Sequence, residues 1–248
     1  MSLYSKTYWE KDKTISGATQ NNYINPVLEK VHNVQQQIQL KGNIGEIGVH
    51  EGKSFTPLLF LLKDNEVAVA VDCFELQKFN IDKSGKGNFN IFKTNCSKFV
   101  NFNDKVAIHK GDSTKMKGSQ WIPKNGMKFK IFSIDGCHTK DATYKDMQNV
   151  FDILCDDGVM IIDDYLNVTW PGVKAGVDQY MFDHGNMRPI FLGYNKLFLV
   201  KKASYNKYWK EFRNVKDEII NGASRVYKSK IKDVAHFEER MKIGHVWK

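Results

Sequence analysis

The 248-residue sequence predicts a doubly wound α/β sheet. Five apolar runs of strand type alternate with segments of helical period, and two further strands, joined tightly at Asn195, follow them. The runs are continuously apolar rather than alternating; VAVAVDCF (67–74) is the clearest. That is how a parallel strand covered on both faces reads. Strand–helix alternation of this kind builds a parallel sheet with helices on both sides.

Residues 1–22 are polar and aromatic without a clear period. In INPVLEKVHNVQQQIQL (24–40), Val27, Val31, Val34 and Ile38 recur at helical intervals, with Pro26 near the start and Gly42 placed to end the helix. Residues 43–49 read as the first strand, and a helix runs from Ser54 to about Lys63. After the second strand, QKFNIDKSGKGN (77–88) has the Gly, Asn and Asp content of a loop, and a helix through about Phe102 follows. VAIHKGDS (106–113) and FKIFSIDG (129–136) are the third and fourth strands with their turns. Residues 141–154 form an amphipathic helix with Met147, Val150, Phe151 and Leu154 on one face, before a fifth strand, GVMIIDDY (158–165). A helix over about 171–183 leads to the closing strands, 188–194 and 196–202, expected to be antiparallel.

The expected parts are an N-terminal helical segment (1–42), a sheet domain (43–202) and a C-terminal extension (203–248). The extension reads as two helices broken near Gly222. Tyr205, Tyr208, Trp209, Phe212 and Tyr227 include the i, i+3 and i+4 spacings of a face that packs on the body.

The formal charge is +9, of which residues 201–248 contribute +7. Such a tail can attract nucleic acid, an anionic membrane or an acidic partner. With Lys outnumbering Arg 33 to 4 and no recognition motif, a solvated helical face accounts for it better, and neither nucleic acid nor membrane is expected as a partner. No run approaches the roughly 18 apolar residues of a membrane span, and the N-terminus has no apolar signal core. Cys73, Cys96, Cys137 and Cys155 form no CxxC pair and read as reduced thiols of a cytoplasmic protein.

Parallel sheets bind ligands at the carboxyl ends of their strands. The first such end is Glu46-Ile47-Gly48-Val49-His50-Glu51-Gly52-Lys53-Ser54, a glycine-bearing turn into a helix. Its G-x-x-G-x-x-x-G spacing is not the G-x-G-x-x-G of dinucleotide sites. The second strand ends in Asp72, where an acid can accept ribose hydroxyls, and the third in Gly111-Asp112-Ser113, where a carboxylate and a hydroxyl can meet an adenine amine. Each of these residues is also a good helix cap. Three polar groups at three successive strand ends favour a nucleoside-containing cofactor.

Together with IDGCHT (134–139), these turns resemble the class I S-adenosylmethionine-dependent methyltransferases over about residues 43–202. The resemblance implies a Rossmann-like seven-stranded sheet with its last strand antiparallel. It also implies that Glu46 and Gly48 border the methionine part of the cofactor, with Gly52 and Ser54 completing the turn. Asp72 would hold the ribose, Asp112 and Ser113 would flank the adenine, and Asp135 would stand at the cofactor's edge. The pattern is most similar to the sugar and small-molecule O-methyltransferases of macrocin and catechol type. Asp135-Gly136-Cys137-His138, Asp146, the stretch Gly158 to Asp164, and WPGVKAGVDQY (170–180) carry that likeness.

Neighbouring strands lie roughly 4.8 Å apart, so Asp135 at the fourth strand end and Asp163 and Asp164 at the fifth should converge. Converging carboxylates repel unless a proton or a cation intervenes, and an all-oxygen donor set suits Mg²⁺. The resemblance places a metal on the same three positions. Both Asp163 and Asp164 can ligate only if the strand has already turned, because successive side chains face opposite ways. The alternative is that they begin the next turn. His138, three residues past Asp135, is a candidate general base beside the catalytic Asp135, or a histidine packed over the cofactor. His50 and His109 read as structural. The function expected is Mg-assisted O-methylation of a small hydroxylated substrate, sugar-like or aromatic, with a homodimer as the candidate assembly. The rivals are a nucleic-acid or protein methyltransferase guided by the basic tail and a non-catalytic cofactor-binding subunit.

Overall fold

The structure is a computed structural model and describes residues 3–19 and 21–212. Helices α1 (Lys6–Asp12) and α2 (Asn21–Gln37) precede strand β1 (Asn43–Ile47). There follow α3 (Phe55–Leu59), β2 (Ala68–Asp72), α4 (Phe89–Ser97), α5 (Phe102–Lys105), β3 (Val106–Lys110) and β4 (Phe129–Ile134). Then come α6 (Lys140–Ile153), β5 (Leu154–Ile162), α7 (Pro171–His184), β6 (Met187–Gly193), β7 (Lys196–Lys201) and α8 (Tyr205–Phe212).

The seven strands form one sheet in the order β3-β2-β1-β4-β5-β7-β6. Strands β1 to β5 are parallel, and β7 is antiparallel to both β5 and β6. The closing hairpin places its second strand inside the sheet. Composition explains the choice: Leu197 to Val200 are all buried, whereas β6 carries Pro189, which donates no ladder hydrogen bond and suits an edge.

The sheet is covered on both faces. On one, Phe132, Met160 and Leu199 pack with Trp121, Met147, Val150, Val177 and Tyr180 from the α6–α7 side. On the other, Ile44, Ile131, Ile161 and Phe198 meet Val27, Val31 and Val34 of α2. A third group, around Phe55, Phe74, Phe92 and Phe102, fills the β2–β3 end. This two-sided burial is why the strands lack alternation.

Several boundaries differ from expectation. The aromatic N-terminal stretch contains α1, capped by the Ser5 hydroxyl and buried through Tyr8 against Phe60 and Phe99. Helix α2 ends at Gln37, and Gln39, at φ +54, makes the reversal assigned to Gly42. Gly42 is instead needed for packing: a Cβ there would come 2.9 Å from the Lys128 carbonyl. Helix α3 stops at Leu59, and residues 60–62 continue as i→i+3 turns. The helix expected through Phe102 is two pieces, α4 and α5.

The start of the extension belongs to the body. Tyr208 and Phe212, one turn apart on α8, are buried among the α2-side residues. The Tyr208 hydroxyl donates to the Asp157 carbonyl at 2.6 Å and accepts from Gln35 at 3.3 Å. The second expected helix, with Gly222 and Tyr227, lies outside the described residues. The four cysteines are unpaired. Among the described residues no helix is long and apolar enough to cross a membrane.

Tyr208→Ala should therefore destabilise the protein by about 3–5 kcal/mol, as removal of a buried aromatic does. Tyr208→Phe, which loses only the hydrogen bonds, should cost about 1–2 kcal/mol. Urea denaturation checks both, and a small effect from Tyr208→Ala would show that α8 is not part of the folding unit.

Candidate active site

The carboxyl ends of β1 to β5 open on a cleft of about 800 Å³. On its cofactor side, β1 runs into the glycine turn. Gly48 has φ +81, and a Cβ there would lie 1.7 Å from the Asp135 carbonyl oxygen. Only glycine lets the β1 and β4 ends approach this closely, and the approach sets Asp135 beside the turn. Asp72 lines the cleft, and its carboxylate accepts the backbone N–H groups of His50 at 2.8 Å and Phe74 at 2.5 Å. A carboxylate has further lone pairs, so these bonds orient Asp72 while leaving it able to accept ribose hydroxyls. Burial pushes its carboxyl up. Asp112 caps a short 3₁₀ turn by accepting the Thr114 N–H at 2.9 Å, and both Asp112 and Ser113 still line the cleft. Cap and ligand are thus compatible roles here.

Two expected cofactor residues stand back from the cleft. Gly52, at φ +93, serves the turn and packs against the Phe92 ring, 3.2 Å from its would-be Cβ. Glu46 is wholly buried under the turn, and neither of its oxygens makes a hydrogen bond among the described residues. Burial, then the charge of Asp135, push its carboxyl up to about 8; the charge of Lys196, and then Ser54 and Ser133, oppose this in part. Ser54 lines the cleft but makes no cap bond to α3. Asp146 of α6 is likewise buried, beneath Gly136, and burial raises it to about 7.

On the opposite side the structure gathers Asp135, His138 and Asp164, with one ligand atom of each within 4.8 Å of the others. His138 Nε2 lies 3.2 Å from Asp164 Oδ2 and 3.7 Å from Asp135 Oδ1. Its Nδ1 lies 2.7 Å from Asp82 Oδ2, and its ring stacks on Trp170 at 4.4 Å. Burial disfavours charge on the imidazole, but hydrogen bonds to Asp135, Asp164 and Asp82 outweigh it and push the pKa up to about 10. Asp164 is also buried, yet His138 and Asn167 hold its carboxyl below the ordinary value.

All three acids of the expected triad line the cleft, and Asp135 and Asp164 converge with His138. Strand β5 ends at Ile162, and Asp164, at φ +58, turns toward His138. Asp163 faces Lys196 instead, in an ion pair whose side chains are 13% and 6% exposed. Burial works against the Lys196 charge, but Asp163 and Asp135 outweigh it and raise its pKa. Lys196 thus pairs with the third acid of the expected set, and burial still pushes that acid's carboxyl up to about 7.

Lys196 and Asp82 were missed. Lys196 had a signal. It begins β7, and an antiparallel strand beside β5 must start where β5 ends; Leu197 pairs with Ile162. Asp82 had none, because it meets His138 across 56 residues. His50 takes part only through its backbone N–H and by lining the cleft, while His109 lies on β3.

Residues 46–165 match the profile of a family described as a methyltransferase domain. Those residues, just under half of the chain, are a methyltransferase domain. Solved methyltransferases share its fold. The O-methyltransferase NovP superposes with a TM-score of 0.54 at 16% identity, over 71% of this chain and 79% of its own. A putative caffeoyl-CoA O-methyltransferase from Staphylococcus aureus gives 0.53 at 14%, over 81% and 92%. An O-methyltransferase from Bacillus cereus, in complex with SAH, gives 0.50 at 16%, over 82% and 91%. No curated protein matches the methyltransferase by sequence. The donor set fits the cofactor: Asp72 for hydroxyls, Asp112 and Ser113 for a base, and a glycine turn for the methionine part.

Glu46 gives the methyltransferase a pH signature. Its folded pKa, about 8, lies above the ordinary 4.5, so the fold prefers the protonated acid. That stability is fully present below about pH 4.5 and is lost progressively as pH rises to about 8, amounting to a few kcal/mol. Glu46→Gln removes the dependence. The stability difference between variant and parent should grow from pH 5 to pH 8 and then level off; parallel curves in urea denaturation would refute the assignment.

Proposed function

We propose that the chain is an O-methyltransferase for a small hydroxylated acceptor, assisted by a divalent cation held by Asp135, Asp164 and His138. The supporting observation is the convergence of those three side chains in the cleft, beside the cofactor turn. Two carboxylate oxygens completed by waters suit Mg²⁺ or Mn²⁺, and an imidazole nitrogen beside them shifts the preference toward Mn²⁺ or another transition ion. A bound ion would supply positive charge that lowers the pKa of an acceptor hydroxyl.

The chain's own groups account for the rest. Asp135 and Asp164 bring negative charge to the floor of the cleft. His138 directs Nε2 toward them, so that the imidazole, once deprotonated, would join them as a donor, and the proton of the acceptor hydroxyl would leave to solvent. Bound S-adenosylmethionine would supply the methyl group to the acceptor oxygen, with the electron pair of the broken carbon–sulfur bond staying on sulfur. Leu166, Val168 and Tyr194 line the cleft near the acids, and their apolar surface supports a ring-shaped acceptor, sugar-like or aromatic. Tyr194 is braced by a parallel stack on Tyr23 at 4.9 Å.

Two measurements test the reading. Transfer from S-adenosylmethionine to a panel of hydroxylated sugars and phenols should vanish in EDTA and return with Mg²⁺ or Mn²⁺. Full activity in EDTA would remove the cation from the proposal. Asp164→Asn should weaken Mn²⁺ binding more than cofactor binding, whereas Asp72→Ala should weaken the cofactor by ~1.5–3 kcal/mol and leave Mn²⁺ unchanged.

Proton linkage gives a second test. The imidazole, with its pKa near 10, must lose a proton to bind a metal, so cation affinity should rise with pH. Calorimetry in buffers of different ionisation enthalpy should find about one proton released per ion at pH 7, and none in His138→Gln.

A further inference from the structure

Asp82 sits in the loop between the 3₁₀ turn Gln77–Phe79 and α4. Its two oxygens have separate tasks. Oδ1 accepts the Ser84 N–H at 3.0 Å and the Ser84 hydroxyl at 2.7 Å, which holds the carboxylate within its own loop. Oδ2 accepts the His138 backbone N–H at 2.6 Å and lies 2.7 Å from Nδ1 of the same residue. The two side chains are 7% and 10% exposed, so water competes weakly for these bonds. Asn80 braces the loop by donating to the carbonyls of Ser84 at 2.6 Å and Gly85 at 3.0 Å.

Two contacts define the His138 ring. The stack on Trp170, with 17° between planes, sets the plane of the imidazole. Within that plane, Asp82 decides which edge faces which way. Ionised carboxylates only accept, so Nδ1 must donate to Asp82, and Nε2 is left facing Asp164 and Asp135. Without Asp82, the ring could turn over about its outer torsion.

We propose that Asp82 is a positioning residue: it holds the Nδ1–H of His138 so that Nε2 alone is presented to Asp135 and Asp164. The consequence for catalysis rests on the O-methyltransferase reading above; the hydrogen bond itself does not. The same loop reaches the cofactor side. A Cβ on Gly87 would lie 3.2 Å from Asp72 Oδ1, and one on Gly85 would lie 3.3 Å from the His50 ring. One loop therefore touches the ribose-side acid and orients the acceptor-side histidine.

The test uses the full chain with ¹⁵N-labelled histidine and bound S-adenosylhomocysteine, with His138→Gln assigning the resonances. A downfield, slowly exchanging Nδ1–H should appear in the parent and in Asp82→Asn, whose amide oxygen can still accept, and should be absent in Asp82→Ala. Asp82→Ala should lower kcat roughly 10–100-fold with the KM for S-adenosylmethionine little changed, and Asp82→Asn should recover part of that loss. Ser84→Ala, which frees one carboxylate oxygen, should give a smaller drop and serves if Asp82→Ala does not fold. A protected Nδ1–H that survives in Asp82→Ala, or one absent from the parent, overturns the proposal. The expected proton signals without any methyl transfer to hydroxylated acceptors would support the positioning role and count only against the O-methyltransferase reading.

Discussion

The active end of this molecule depends on how negative charge is balanced where the parallel strands end. Glu46, Asp135, Asp163 and Asp164 come from three adjacent strands, and Asp82 reaches them from a loop. Carboxylates this close cannot all stay ionised without compensation. Three devices supply it. Lys196 pairs with Asp163, His138 lies among Asp82, Asp135 and Asp164, and Glu46 is buried so thoroughly that its proton is retained to about pH 8. A buried lysine beside a buried acid contributes little net stability compared with apolar packing, but removing either partner is costly. Its value here is placement, because it holds Asp163 at the edge of the same cleft that Asp135 and Asp164 line.

That balance follows from sheet geometry. Parallel strands carry their carboxyl ends to a common edge, so turn residues far apart in sequence become neighbours. Gly48 tightens the β1–β4 junction until the backbone of one touches that of the other, which brings the cofactor turn and Asp135 together. Antiparallel β7 then contributes from its amino end what the parallel strands contribute from their carboxyl ends, and Lys196 arrives at the same edge. Methyl transfer needs the sulfonium donor and the hydroxyl acceptor on either side of one line. The division of the cleft into a side with Asp72, Asp112 and Ser113 and a side with Asp135, His138 and Asp164 matches that requirement.

The fold was legible because its signals are local. A strand buried on both faces must be apolar throughout, and a surface helix must repeat its apolar residues at helical spacing; both show within a dozen residues. Boundaries were less legible where packing overrides propensity. Helix α3 ends five residues in, and Gly42 is small because of the Lys128 carbonyl rather than because of helix α2. The aromatic N-terminus showed no period because α1 is only seven residues long and docks through Tyr8.

The site divides along the same line. The sequence by itself determined which residues end the strands, and so placed Gly48, Ser54, Asp72, Asp112, Ser113, Asp135, Asp163 and Asp164 at the cleft, since strand ends are set by local pattern and topology by connection rules. It could not determine which way each side chain turns once the strand is over. One left-handed residue, Asp164, sends two consecutive acids to different partners, and no local propensity encodes that outcome. Only the tertiary structure decided that Asp163 belongs to Lys196, that His138 completes the acid group, and that Asp82 reaches across 56 residues to hold it. Those are contacts between distant segments, and their energies depend on burial and distance, which exist only after the sheet has formed.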